Sequence, residues 1–307
     1  MVFIAHGPAS AMTARTVTSV ALADDPSRPL SVGVSFGVIN GESHELVYED
    51  GVKVSELIWR LDDVPMLGLS ASLELPGPVA FNLAGWTKLG EPSSFMEDYD
   101  WIKASRPNEW SHYSRSATTL TKGEMVDANF VIPLLKKSGG VLSAVLGFRR
   151  DHWRWEDWGG WYIYSSNAGF RDLTGVFPEG TGITFEQWFY APYLGVQLDF
   201  RFSEEFQLSG RFAGSKWAWS EDNDHHIMRD IVFKDYFDHV TYVTFGAEAS
   251  YFLSESLSLS VSVDAQKYAR TVGDTDIFAP GETVSFDEGA GLEHSSWMAA
   301  FSFGYTF

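Results

Sequence analysis

Two short stretches of the chain concentrate the residue types that move protons. The first, MEDYD over residues 96–100, carries Asp98 and Asp100 one residue apart. On extended backbone both side chains fall on one face, about 6–7 Å apart. Carboxylates that close raise one another's pKa. One can then keep a proton near neutrality, as acid–base work on a water or a carbonyl requires. The competing reading is a solvated acidic loop, the usual fate of Asp-x-Asp. The second stretch, EDNDHH over 221–226, crowds Glu221, Asp222 and Asp224 against His225 and His226. Here the same spacing lets Asp224 hydrogen-bond His226, fix its tautomer and raise its basicity. His225 points to the opposite face if the segment is extended. Asp222, Asp224, His225 and His226 could also offer oxygen and nitrogen ligands to a metal. No His-x-His or more distant third ligand accompanies them, so no metal is expected. No Ser-His-Asp order stands out, and Ser114 has no evident base beside it.

Whatever positions these groups must be built from an unusual composition. The 307 residues carry a formal net charge of −19 and no cysteine. That charge disfavours nucleic acid as a partner and favours cationic substrates. The missing thiols exclude disulfides, thiolate nucleophiles and Cys-based metal sites. Aromatics reach 15%, yet mean hydropathy is only −0.11, and no stretch approaches the 18 apolar residues of a transmembrane helix. Alternation reconciles these facts. In SSWMAAFSFGYTF (295–307), Trp297, Ala299, Phe301, Phe303, Tyr305 and Phe307 share one side of a strand, with Ser296, Ser302, Gly304 and Thr306 on the other. LSLSVSVDAQ (257–266), YLGVQLDFRF (193–202) and FQLSGRFAGS (206–215) repeat the pattern.

The connections alternate too. Tight breaks at 76–78, 136–140, 203–205 and 254–256 lie between longer joins near 49–52, 90–122, 156–184, 220–234 and 272–292. Four short and five longer connections predict ten strands, with both termini on the short-turn side. That is the rhythm of an all-β, antiparallel transmembrane barrel with short periplasmic turns and long extracellular loops. Tryptophans near strand ends (Trp153, Trp155, Trp158, Trp161, Trp217, Trp219) read as interfacial girdles. A soluble sandwich or lipocalin-like barrel is the alternative, with the apolar face turned inward. A porin is disfavoured, because ten strands leave a lumen that side chains fill. Residues 1–29 are set outside the barrel, which spans 30–307. Ala21 and Ala23 offer a small-x-small cleavage point near Ala23, behind a poorly formed export signal.

From Ser31 to Phe307 the chain resembles the omptin family of outer-membrane aspartyl-type proteases. The resemblance rests on GVKVSELIW (51–59), GWTKLG (85–90), MEDYDW (96–101), GGWYIYSSNAGFRD (159–172) with FPEG (177–180), SEDNDHH (220–226), GAGLEH (289–294) and the terminal YTF. It implies that Asp98, Asp100, Asp224 and His226 are the catalytic set, with a water activated between His226 and the Asp98/Asp100 pair. A protonated carboxyl of that pair would meet the oxyanion. Glu45 and Asp222 match the acids that line the family's pocket for the residue before the cut, so basic and preferably dibasic peptide or protein substrates are implied. A bidentate grip would favour guanidinium. The resemblance also implies a monomer in the outer membrane of a Gram-negative bacterium, with the active site extracellular. It requires no cofactor, and lipopolysaccharide is a candidate activator. Two departures stand out. Ser116 replaces the usual His two residues after Ser114, and Phe148, Arg150 and His152 replace a Tyr-x-Glu-x-Arg run. Arg149, Arg150 and Arg154 lie where lipid phosphates would be met, but alternation splits them between faces. These departures motivate a second reading, a catalytically weak barrel acting as an adhesin or binding protein.

Overall fold

The computed structural model describes residues 30–307. The predicted export segment 1–29, with its cleavage point near Ala23, lies outside the described residues. In chain order the strands are β1 (Leu30–Glu49), β2 (Val52–Leu75), β3 (Val79–Lys88), β4 (Ser93–Asp100), β5 (His112–Lys137), β6 (Gly140–Tyr164), β7 (Leu173–Val176), β8 (Ile183–Arg201), β9 (Phe206–His226), β10 (Ile231–Phe252), β11 (Leu257–Ala279) and β12 (Glu282–Thr306). β3 and β4 both lie between β2 and β5, so they are two halves of one stave interrupted at 89–92. The four-residue β7 pairs only with β6, in a loop. Ten antiparallel staves remain, closed by β1 against β12. Closure gives every stave a partner on both sides, which a backbone in lipid needs because no water is there to bond it.

The alternating pattern is inverted relative to a soluble barrel. On β12, Trp297, Phe301, Phe303 and Tyr305 are exposed, as is Phe307 just beyond it, while Ser296, Ser302 and Thr306 are buried. The buried polar side chains bond one another across the lumen wall: Ser31 Oγ to Thr306 Oγ1 at 2.9 Å, Ser35 Oγ to Ser302 Oγ at 2.7 Å, and Asn82 Nδ2 to Asn129 Oδ1 at 3.0 Å. An apolar outer band over a hydrogen-bonded polar lumen suits lipid outside.

The staves run far beyond that band. β5 has 26 residues, against the roughly 9–11 that cross a bilayer. Several register shifts sit where the staves leave the band, at Ile39/Gly41, Leu120/Lys122, Tyr190/Leu194 and Phe237/Val240. Bulges re-aim side chains, and here they re-aim them above the membrane. Much of what the sequence marked as loop is therefore strand. The expected joins 90–122, 156–184, 220–234 and 272–292 shrink to 101–111, 165–182, 227–230 and 280–281. Above the lipid both faces meet water or the cleft, so the hydropathy alternation fades while backbone pairing continues. The first hairpin turns on Asp50 and Gly51, both at positive φ, a two-residue turn whose twist suits antiparallel strands.

The predicted girdle needs correction as well. Trp158, Trp161, Trp217 and Trp219 are exposed, but Trp153 and Trp155 are both 0% exposed. Those two face inward and build, with Trp59, Phe185 and Phe189, an aromatic layer that fills the barrel. Trp59 stacks on Phe185 at 5.3 Å, and Trp155 Nε1 donates to the Arg60 carbonyl at 3.1 Å. Buried indole N–H groups need such acceptors. Packed rings at mid-height hold the staves above at fixed spacing.

Candidate active site

Asp98 and Asp100 are aimed by β4. Its eight residues are paired on both sides, to β2 and to β5, so their alternation cannot slip. Asp98 lies between Leu57 and Ser114, and Asp100 between Ser55 and His112. Glu97, just before Asp98 and on the other face, accepts from Tyr113 Oη at 3.0 Å, away from the cleft. Ser55 Oγ reaches Asp98 Oδ1 at 3.4 Å. Burial, and then the charge of Asp100, push the Asp98 carboxyl well above the usual range. Burial also raises Asp100, with Ser55 and His112 opposing. The pair can thus hold a proton where an exposed pair would not.

Across the ring of staves, the end of β9 supplies the other groups. Asp224 lies between Phe185 and Phe233, and His226 between Ile183 and Ile231. His226 Nε2 meets Asp224 Oδ2 at 2.6 Å, and Asp224 is 1% exposed. The other ring nitrogen, Nδ1, is met by the guanidinium of Arg229, which is exposed on the short turn Ile227–Arg229. Glu45 on β1 is buried and accepts from Trp59 Nε1 at 3.3 Å. Burial raises its carboxyl well above normal, helped by the charges of Asp224, Asp222 and Asp235.

Glu45, Asp98, Asp100, Ser114, Asp224 and His226 line one cavity of about 450 Å³, open between the upper strands. Asp222 does not line it. It lies two residues down β9 from Asp224, buried, with Gln187 Nε2 on its Oδ2 at 3.4 Å. His225 does not line the cavity either, in keeping with the opposite-face expectation. Ser114 joins the wall without a partner arranged as its base; its hydroxyl bonds Tyr164, whose phenol burial and Asp98 push up to about 12. Among the described residues, no three His, Cys, Asp or Glu side chains converge with the spacing of a metal site.

Four residues at the site were missed by sequence reasoning. Tyr164 and Arg229 line the cavity. So does Asp157, whose Oδ1 accepts from the backbone of Gly182 at 2.8 Å and Ile183 at 2.6 Å. Asp235 on β10 stands directly opposite Asp222. Only Asp235 left a usable signal: the turn at 227–230 sets a hairpin register that pairs it with Asp222.

A closed ten-stave barrel with an apolar outer band, carrying an acidic, histidine-containing cleft at its loop end, defines an outer-membrane barrel. The Omptin family profile matches residues 27–307. Protease 7 of Escherichia coli K12 is 30% identical over 287 residues, covering 91% of this chain and 90% of that protein. The plasminogen activator of Yersinia pestis is 28% identical and covers 100% of this chain and 97% of its own. The crystal structure of the Escherichia coli outer membrane protease OmpT superposes with a TM-score of 0.87 at 28% identity, over 95% of this chain and 100% of that one. The chain belongs to the Omptin family. Its barrel sits in the outer membrane of a Gram-negative bacterium.

Proposed function

We propose that this protein is an outer-membrane endopeptidase that cuts peptides and proteins at basic, preferably dibasic, sites. Its relatives' names support a protease; the aspartyl-type chemistry and the basic preference are our reading of the cleft. The observation that carries it is the 2.6 Å Asp224–His226 contact in the same cavity as the Asp98/Asp100 pair.

In the proposed reaction Asp224 holds His226 through Nε2, leaving Nδ1 to take a proton from a water. Arg229 lies against Nδ1 from an exposed turn and has to swing clear first. The hydroxide oxygen bonds to the scissile carbonyl carbon, and the carbonyl oxygen takes its hydrogen bond from whichever of Asp98 and Asp100 is protonated. As the C–N bond breaks, the imidazolium returns its proton to the leaving amine. General acid–base help of this kind contributes about 10²–10⁴-fold. Glu45 and Asp222 neutralise a cationic side chain before the cut. The lipid partner is the surrounding outer membrane with its lipopolysaccharide, and the unit acting is the single barrel.

A quenched peptide containing Arg-Arg, offered to the barrel reconstituted in lipid vesicles, should be cut between the basic residues. Asp98→Asn and His226→Ala should each lower kcat/KM by at least about 10²-fold. Cleavage that survives both substitutions removes the mechanism. Binding of the peptide without turnover by the unsubstituted barrel would instead favour an adhesin.

A further inference from the structure

Among the described residues, the cavity around His226 is lined by the carboxylates of Glu45, Asp98, Asp100, Asp157 and Asp224 and by a single Arg or Lys side chain, Arg229. Arg229 ends the short turn Ile227–Arg229 between β9 and β10. The foot of that turn is fixed. Ile227 N–H donates to the Gly182 carbonyl at 2.9 Å, and Asp230 N–H to the Ile227 carbonyl at 3.3 Å. From there the guanidinium reaches back to His226 Nδ1. Its charge also acts on Asp98 and Asp100, drawing both carboxyls down against their burial. The contact with His226 settles a tautomer. A guanidinium only donates, so Nδ1 offers its lone pair, and Nε2 carries the hydrogen that it donates to Asp224. The lone pair that Arg229 occupies is therefore the one that has to take a proton from water. The ring itself is held, by Asp224 on one side and by Phe233 edge-on at 5.4 Å. The arginine is exposed.

Resting on the endopeptidase reading, we propose that Arg229 is a built-in inhibitor of this cleft, holding the lone pair of His226 at rest until an entering peptide displaces it. Such an occupant competes with substrate and leaves the chemistry alone. The cleft is competent only in the fraction of molecules whose Arg229 has swung out, and the apparent affinity for peptide falls by that fraction. The geometry suits the task. Arg229 is three residues from His226, so it is never far from the base. Its side chain is long and exposed, so a change of rotamer frees the base without moving a strand, and exposed side chains make such changes within nanoseconds. Its hold on the imidazole lacks the paired, bidentate bonds that a guanidinium makes to a carboxylate, so it can be broken. A direct catalytic role for Arg229 does not fit this geometry, because a donor on Nδ1 removes the acceptor that a general base needs.

The test uses the full chain reconstituted in lipid vesicles and two sets of measurements. Cleavage of the Arg-Arg peptide is followed for the unsubstituted barrel, Arg229→Ala and Arg229→Lys. In parallel, equilibrium binding of the same peptide, carrying a fluorophore, is measured on Asp98→Asn with and without Arg229→Ala. Arg229→Ala should lower KM about tenfold and change kcat by less than about twofold, so kcat/KM rises about tenfold, as release of one exposed hydrogen bond from a charged donor allows. Arg229→Lys keeps a charged donor on the same turn and should restore part of the higher KM, which a mere loosening of the turn would not explain. Peptide binding should tighten about tenfold when Arg229 is removed. If peptide is cut but kcat/KM in Arg229→Ala is unchanged or lower, or rises through kcat alone, the inference is overturned and the endopeptidase reading stands. If nothing is cut yet binding tightens without Arg229, the inference that Arg229 blocks the cleft stands and the endopeptidase reading falls. Equal binding with and without Arg229 overturns the inference whatever the cleavage result.

Discussion

At the scale of single residues the site holds its acids at a cost to the fold, and Asp235 shows the sign. Burial pushes its carboxyl up to about 6; the Thr275 hydroxyl and the Asp222 carboxyl pull it back, while Asp224 and Asp276 push it further. An unfolded aspartate titrates near 3.9. Between about pH 4 and pH 6 the folded chain therefore holds a proton that the unfolded chain has lost. Unfolding releases that proton, so stability falls as pH rises across this window. The shift corresponds to at most about 3 kcal/mol. Asp235→Asn should then raise the urea midpoint of the vesicle-bound barrel at pH 7.5 and leave it nearly unchanged at pH 4. No gain at pH 7.5 would mean that Asp235 is not held against its own burial. An acid held against its own burial costs the fold stability, which its removal returns. The sequence made some residues legible and not others for a physical reason. Asp98, Asp100, Asp224 and His226 stand at i, i+2 spacing, which strand geometry converts directly into a shared face. Asp235 is thirteen positions from Asp222, and only the register of the hairpin turn brings them together.

At the scale of elements, the outer wall of β5, β6 and β8 decides how much the protein needs its lipid. The sequence placed Arg149, Arg150 and Arg154 in the right region. Arg149 turns into the lumen, where its Nε meets Asp151 Oδ1 at 2.9 Å. The outward cations are already matched: Arg150 lies 4.0 Å from Glu124, Arg154 3.4 Å from Glu156, and Lys122 3.9 Å from Glu124. His152 meets Glu186 at 2.7 Å. A wall whose charges cancel attracts lipid phosphates weakly, since each uncompensated cation is worth only about 1 kcal/mol at an anionic surface. We propose that lipopolysaccharide surrounds this barrel without switching it on. Adding it to neutral phospholipid vesicles should change kcat/KM by less than about threefold, and a tenfold rise would refute the idea. The elements were read well from the sequence where they touch lipid, because one apolar and one polar face make the alternation unmistakable. They were read poorly above it. There β6 carries Trp153 and Trp155 into the core, and the strands continue through segments whose hydropathy says loop.

At the scale of the whole molecule, closure and charge act together. With β1 sealed to β12, none of the ten staves keeps an open edge along the barrel wall. The lumen acids and bases are shut in; Asp151, 0% exposed, accepts from Arg149, Gln266 and Tyr268 within the barrel. What remains to shape the field outside is the cleft and its rim, on a chain of formal charge −19. A concave acidic site with low-dielectric walls focuses that field on approaching cations. The Debye length shrinks from about 30 Å at 0.01 M salt to about 3 Å at 1 M, so the attraction acts well beyond contact only in dilute salt. For an Arg-Arg peptide, kcat/KM should therefore fall by at least about tenfold between 0.01 M and 0.5 M sodium chloride. In the proposed reaction the bond-breaking step falls within the cleft, where salt screens little, so kcat at saturating peptide should hold nearly constant. A peptide with one basic residue removed should lose less of its kcat/KM over the same range. If kcat and kcat/KM fall in step, salt is disturbing the cleft itself, and long-range attraction by the acidic end of the barrel is not what gathers the substrate.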